Sequence, residues 1–524
     1  MTIQGTIRTG LIVVAMYCVL NTCVVAQISP YPYLSAPHME RGVRSLIDAG
    51  MIRRAAADVA YLTQIRKHTA VYDVVPFDKS DILKSSGNRA GADREMDAFL
   101  RERTNSPFVP LAWMERAVAA LEDGEPEAAA GLFATSAKES MVAFEQRRDT
   151  FYITMAHKAL FWEGATRASL GQFAEARDVF GASIKTDSLG EYAAYSHYAM
   201  GQIYERNADV HQAIGSFDLV RTRYPASNVV VASRIREAVN LITLRKPERA
   251  LDVLTGIDVL LNEKDVDRTV KQVDVDHANE EVALVRAEAY TLRRNYQEAL
   301  DSCESFITRY PFSPYRWHVH LHAGYNALML GLLPQSLGHY AVILDSLTDD
   351  ASVIRQQALL YHSVVLKRSG KIEESLKAFT GLASQSGYPY QSQALIELGQ
   401  SAYEAKDFDR ARKALERAER ESRDAATSLR AQLLLGATLI ELQQWAKAAS
   451  AYERAQSIAQ EAADEFLPDR QMYLAETRLK RGISLIQAGQ VQPAINALTD
   501  FLGNHPNDAH RDEATFRTRR PPGA

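Results

Sequence analysis

The chain has 524 residues, 46% of them hydrophobic and 24% charged, with a formal net charge of −5. That composition suits a folded chain rather than a disordered one, and it gives no electrostatic case for a nucleic-acid binder. Alanine, glutamate and arginine recur with no strand-like alternation, so helix is expected nearly everywhere. The first stretch is a leader by its layout. Arg8 is the one charge before an apolar run, Leu11–Leu20, and Val24, Val25 and Ala26 follow as small residues. This predicts a secretory signal over residues 1–26, cleaved after Ala26, and hence export to the periplasm or the extracellular space. Two other readings stay open: acylation at Cys23, giving an outer-membrane lipoprotein, and an uncleaved anchor. No later segment is long and apolar enough to span a bilayer, so no membrane span is expected in the mature chain.

Residues 27–109 read as a tether followed by worn helical pairs. Ile28–His38 is proline-rich and aromatic, and Met39–Ile65 looks helical with a turn at Ala49-Gly50. Lys79–Asp93 (KSDILKSSGNRAGAD) is a loop by composition, and Ala98–Pro107 reads as the closing helix of a pair.

From there one rule recurs. A small residue is followed twelve positions later by a second small residue, and four further on by a large one. In Ala193–Pro225 these are Gly201, Ala213 and Phe217, with Tyr204 three after the glycine and Pro225 closing the unit. The same offsets join Ala117, Ala129 and Phe133; Gly164, Ala176 and Phe180; Ala238, Ala250 and Leu254; Ala287, Ala299 and Cys303. They continue through Gly324, Ser336 and Tyr340; Ser363, Ser375 and Phe379; Gly399, Ala411 and Leu415; Gly436, Ala448 and Tyr452; Gly482, Ala494 and Leu498. Two amphipathic helices that cross closely need small residues at the contact, and large ones fill the gaps beside it. Several intervals are 37 residues, while those from Ala117, Ala238 and Gly436 to the next unit are 47, 49 and 46. Longer helices or loops can absorb the excess. Asn262–Glu281 is the most polar stretch between units, and Pro225, Pro311 and Pro506 stop second helices.

The order small, aromatic, small, aromatic, proline resembles the tetratricopeptide repeat. The resemblance covers about three quarters of the chain. It implies an all-α fold, an α-α superhelix of antiparallel helix pairs forming a solenoid over residues 110–507, in about ten units. Residues 508–524 would then be an incomplete C-terminal helix and tail. Tyr204 through Ser227 are similar to units of exported bacterial repeat proteins, such as the Tol–Pal-associated coordinator and outer-membrane assembly lipoproteins. Relatives of that kind imply a non-catalytic scaffold of the cell envelope that binds a protein or peptide partner on its concave face.

The same resemblance places partner contacts on the first helix of each pair, at six before, three before, one after and four after the small residue. These are Tyr195, Tyr198, Gln202 and Glu205 around Gly201; His318, Leu321, Tyr325 and Leu328 around Gly324; and Gln393, Ile396, Gln400 and Tyr403 around Gly399. Leu321 and Ile396 read as inter-repeat packing more than as wall, and the tyrosines as either. No Lys or Asn stands three before or one after the small residue in these units, so a carboxylate clamp is not expected.

Other chemistry is sparse. Trp317–His322 (WHVHLH) would put three histidines on one face of a strand, but the register with Gly324 makes it a helix with His318 and His322 one turn apart. A metal there needs a third ligand from a neighbouring repeat, and surface or core histidines are the plainer reading. Asp274–Glu281 (DVDHANEE) lacks the third oxygen ligand and the turn glycine of a calcium loop, so a helix N-cap at Asp274, Asp276 or Asn279 is expected. Cys303 takes the place of a large core residue and reads as a buried hydrophobe. No phosphate-binding, zinc-protease or nucleophile-elbow motif occurs, and no cofactor is expected.

Overall fold

The computed structural model describes residues 73–262, 272–349, 352–385, 387–422, 424–462 and 469–519, together with 56, 59 and 467. The leader, the tether, Cys23 and nearly all of Met39–Ile65 lie outside the described residues. The chain divides into two compact units, residues 1–282 and 283–524. Among the described residues the regular structure is helical throughout, with no strand.

The first unit is built of consecutive antiparallel pairs. These are α1 (Val75–Ser85) with α2 (Arg89–Glu102), α3 (Val109–Glu122) with α4 (Pro126–Arg147), and α5 (Phe151–Ser169) with α6 (Phe173–Thr186). Next come α7 (Glu191–Arg206) with α8 (Val210–Arg223), then α9 (Val230–Thr243) with α10 (Pro247–Leu254), followed by a short α11 (Ile257–Asn262). Helix α12 (Gln272–Leu292) crosses the division and pairs with α13 (Tyr296–Arg309). The second unit continues with α14 (Arg316–Met329) and α15 (Leu333–Ser346), α16 (Val353–Arg368) and α17 (Ile372–Ser384), and α18 (Gln391–Glu404) and α19 (Phe408–Glu421). It ends with α20 (Ala425–Glu441) and α21 (Trp445–Glu461), α22 (Arg470–Gln487) and α23 (Val491–Asn504), and α24 (Arg511–Arg519). The long interval after Ala117 is absorbed by the 22 residues of α4, against 14 in α6 and α8.

Helix α19 shows how the sequence makes these elements. Asp407 caps it by accepting from the Arg410 amide, and Ala411, Ala414, Leu415 and Ala418 form one buried stripe. Its remaining face is charged, with Arg412–Glu416 and Arg417–Glu421 pairs at one-turn spacing.

The small and large residues of the rule meet as a pair, and they do so across sixteen positions. All ten second-helix small residues, from Ala129 to Ala494, and the large residues from Phe133 to Leu498, are buried. A Cβ placed on Gly201 would stand 2.5 Å from Phe217 Cε1, one on Gly164 2.7 Å from Phe180, and one on Gly399 2.5 Å from Leu415 Cγ. The glycine is thus required by the large side chain lying on it, and the second small residue packs beside that contact.

Each pair is closed by the same backbone device. Seven residues after the first small position the chain turns left-handed, and the following amide bonds back to the carbonyl five residues earlier. Asp209 N donates to Tyr204 O at 2.9 Å, and Asp407 N to Ala402 O at 2.8 Å. Glycine fills the left-handed position at 124, 171, 331, 370 and 489, whereas Ala208, Arg245, Arg294, Lys406 and Gln443 adopt it with φ between 55° and 63°.

Two expectations need correction. Lys79–Asp93 is not a loop: α1 and α2 run through it, and only residues 86–88 lie between them. Ser80, Ala92 and Met96 occupy the three register positions there, all buried, with Gly87 left-handed seven after Ser80. Its serine- and glycine-rich text is that of a helix end and turn, so composition misled. Asp274, Asp276 and Asn279 do not cap α12, because the helix already starts at Gln272. Residues Arg511–Arg519 form a helix, which packs Ala514 against the α22–α23 pair.

Candidate functional site

Within each unit, first helices of successive pairs also touch one another, so their free faces line up as a wall. Its chemistry follows from the register.

Position three before the small residue belongs to the core. Tyr198, Leu321 and Ile396 are all buried, because that position shares the helix face that receives the partner helix. The Tyr198 ring lies 5.7 Å from that of Phe217, and its hydroxyl bonds Arg236, so this side chain is committed inside the stack rather than offered to a partner. Tyr195 is held nearly as firmly. Its ring packs against Phe161 and Tyr192, its hydroxyl donates to Glu191 at 3.4 Å, and it accepts from the Asn228 amide at 3.5 Å. Leu328 is buried as well.

The remaining wall residues are half-exposed: Gln202, Glu205, His318, Tyr325, Gln393, Gln400 and Tyr403. Most reach across to the next pair. Glu205 accepts from the Asn240 amide and faces Arg236 at 3.7 Å. Tyr325 meets Tyr361 edge to face at 5.6 Å, Gln400 accepts from Arg430 at 3.0 Å, and Tyr403 donates to Glu441 at 3.4 Å.

A set of charges that sequence reading missed threads this wall. Four after the small residue of one pair, two before that of the next and six before that of the one following, opposite charges meet. In the second unit, Lys367 bonds Glu397 at 2.7 Å and Arg430 bonds the same carboxylate at 2.5 Å. Burial alone would raise the Glu397 carboxyl, but Arg430 and Lys367 outweigh it and hold the pKa below its usual value. In the first unit, Lys84 bonds Glu115 at 2.5 Å, and Glu115 also draws on the Lys158 ammonium, whose pKa burial lowers. Glu205, Arg236 and Glu281 occupy the same three positions with the signs reversed. The signal was present as charged residues at fixed offsets from the small residues, on a helix face otherwise apolar.

The histidines of α14 divide as the helical reading requires. His320 points away from the wall and faces His339, Nδ1 to Nδ1, at 3.1 Å. His318 and His322 lie on the wall side, and burial lowers both pKa values, His322 to about 4. Among the described residues no three His, Cys, Asp or Glu side chains stand close enough to share a metal ion. Cys303 is fully buried and burial pushes its thiol up to about 12, so it is unreactive as a nucleophile.

Paired antiparallel helices on one repeating register, with a wall of first helices and a fully packed interior, define a helical-repeat scaffold. Two family models described as tetratricopeptide repeat match the chain, one at residues 77–142, 364–426 and 397–465, the other at 195–227, 281–313 and 476–508. The chain belongs to the tetratricopeptide repeat family. The first match includes the α1–α2 pair that composition had disguised. No curated protein matches. Among solved structures the chain is similar to a tetratricopeptide repeat protein from Parabacteroides merdae, at 18% identity over 54% of this chain and 98% of that one, TM-score 0.42. It is also similar to PilW, a type IV pilus biogenesis factor, at 17% identity over 45% and 98%, TM-score 0.36. The quorum sensor NprR from B. thuringiensis aligns at 9% identity over 60% and 99%, TM-score 0.40. Family membership supports a protein-interaction scaffold. Among the described residues no helix is long and apolar enough to cross a membrane.

Proposed function

We propose that this protein is a non-catalytic scaffold of the bacterial cell envelope that holds a peptide or protein partner along its wall of first helices. One observation carries the reading. The wall keeps half-exposed aromatic, amide and imidazole groups at Tyr325, Gln400, Tyr403 and His318, whereas the positions three before the small residue, Tyr198, Leu321 and Ile396, are consumed by packing. Such groups suit an extended or helical peptide with mixed polar and apolar side chains. Export is supported by the leader-like text of residues 1–26.

A photo-crosslinking residue placed at Tyr403 tests the wall directly, with Lys413, exposed on α19, as control. The reading expects a discrete crosslinked partner from position 403 and none from 413; equal capture from both, or none, overturns it. Intact mass settles the envelope assignment. A mature chain starting at Gln27 without lipid supports export of a free protein, a diacylated Cys23 makes it a lipid-anchored assembly factor, an unprocessed chain recovered with membranes supports the uncleaved anchor, and an unprocessed chain recovered from the cytosol removes the envelope from the proposal.

A further inference from the structure

One contact in the second unit joins two helices through their histidines and lies apart from the wall. His320 of α14 and His339 of α15 face each other, Nδ1 to Nδ1, at 3.1 Å, with ring centroids 5.4 Å apart. Both rings are only half-buried, and a Cβ on the neighbouring Gly338 would meet nothing within 4 Å, so solvent and small ions reach them. Behind His339 stands Glu304 of α13. Its Oε1 lies 4.0 Å from the far ring nitrogen, Nε2, and accepts from the Gln335 amide at 2.5 Å.

Spacing and protonation both suit a shared cation. Imidazole nitrogens bind zinc at about 2.0–2.1 Å, so two of them 3.1 Å apart would subtend roughly 100° at the ion. That angle lies between the right angle of square-planar copper or nickel and the tetrahedral angle of zinc, the metals imidazole suits. The ligating form is the neutral ring. Burial lowers the pKa of both histidines, that of His320 to about 4 with help from His339 and Arg316. Arg316 is the cation beside the pair, and its guanidinium is seated on the Trp317 ring, 4.2 Å from the centroid. A metal-bound histidine commonly offers its other ring N–H to a carboxylate, the place Glu304 takes behind His339.

We propose that His320 and His339 hold one divalent zinc, copper or nickel ion through their facing Nδ1 atoms, with Glu304 as the outer carboxylate. The ion takes the place of the proton between the rings, which moves to Nε2 of the imidazole that carried it. Among the described residues no third His, Cys, Asp or Glu converges on these two donors, so water completes the coordination. Bound there, the ion ties α14 to α15. The site lies off the wall, and its failure leaves the scaffold reading standing.

The test is isothermal titration of zinc and of copper(II) into the full chain, free of any purification tag and stripped with EDTA, near pH 7. The expected result is one ion per chain, bound at least tenfold more weakly by His320→Gln and by His339→Gln and unchanged in His318→Gln. Glu304→Gln should weaken binding about tenfold. Loss of fold does not confound this, because pulsed electron paramagnetic resonance of copper(II) on the unsubstituted chain must show two imidazole nitrogens. No stoichiometric binding, binding that both histidine variants retain, or a spectrum without two imidazoles overturns the inference. Equal loss in His318→Gln overturns it too, by moving the ion to the wall.

Discussion

Two stretches of the second unit's wall stand on one register and reach opposite ends. Along α16, α18 and α20 the polar groups close on one another through Lys367, Glu397 and Arg430. Along α14 the polar set is left incomplete: neither ring nitrogen of His318 has a hydrogen-bond partner, nor does Nε2 of His322. The register fixes which residues face each other; their identity decides whether the facing set stabilises the stack or is left for something else.

The largest expected effect separates these two stretches. Glu397→Ala strands Lys367, itself only 9% exposed, and should lower stability by about 3 kcal/mol in denaturant unfolding. His318→Ala breaks no such pair and should lose far less. Similar losses at both positions would erase the comparison.

Titration sharpens it further, because the sign differs between groups. His157 on α5 is buried beside Asp187 and its pKa is lowered by desolvation from 6.5 to about 4. The unfolded chain binds that proton first, so stability is complete above pH 6.5 and falls towards pH 4, by up to ~3 kcal/mol. Glu288 on α12 acts in reverse. Burial raises its carboxyl pKa, which leaves stability intact below the ordinary carboxyl value and removes it as pH rises through about 7. Unfolding midpoints against pH should thus flatten on the acid side in His157→Gln and on the alkaline side in Glu288→Gln.

The register itself predicts smaller effects. Gly201→Ala drives a methyl into the Phe217 ring and should destabilise by about 1–3 kcal/mol, whereas Gly215→Ala, with nothing within 4 Å, should stabilise by about 0.5–1 kcal/mol. Smallest of all, Lys406→Gly and Gln443→Gly relieve left-handed turns at φ 60° and 58° and should each gain about 0.5–1 kcal/mol by thermal unfolding.

Much of this fold was legible because packing forces residue types. A ring such as Phe217 needs a small residue on the partner helix, and that requirement repeats visibly in the text. The α1–α2 pair escaped because its contact residues are Ser80 and Met96, and its turn, Ser86-Gly87-Asn88, dominates the local composition. The left-handed closure was equally readable as glycine seven after the small residue, but half of the pairs place Ala, Arg, Lys or Gln there. The wall was legible only in outline. Offsets alone did not separate Tyr198, whose ring fills the stack, from Gln202 beside it. The ion sets were invisible until three successive helices were brought side by side, since their members lie 30 or more residues apart.

The claim beneath all of this is that a small residue and the large residue sixteen positions later are in contact in every pair. A double-mutant cycle on Gly201 and Phe217 measures it. With Phe217 present, Gly201→Ala should destabilise; in a Phe217→Ala background the same change should be neutral or stabilising, as expected of glycine to alanine in an open helix. Additive effects of the two substitutions would contradict the contact and the register built on it.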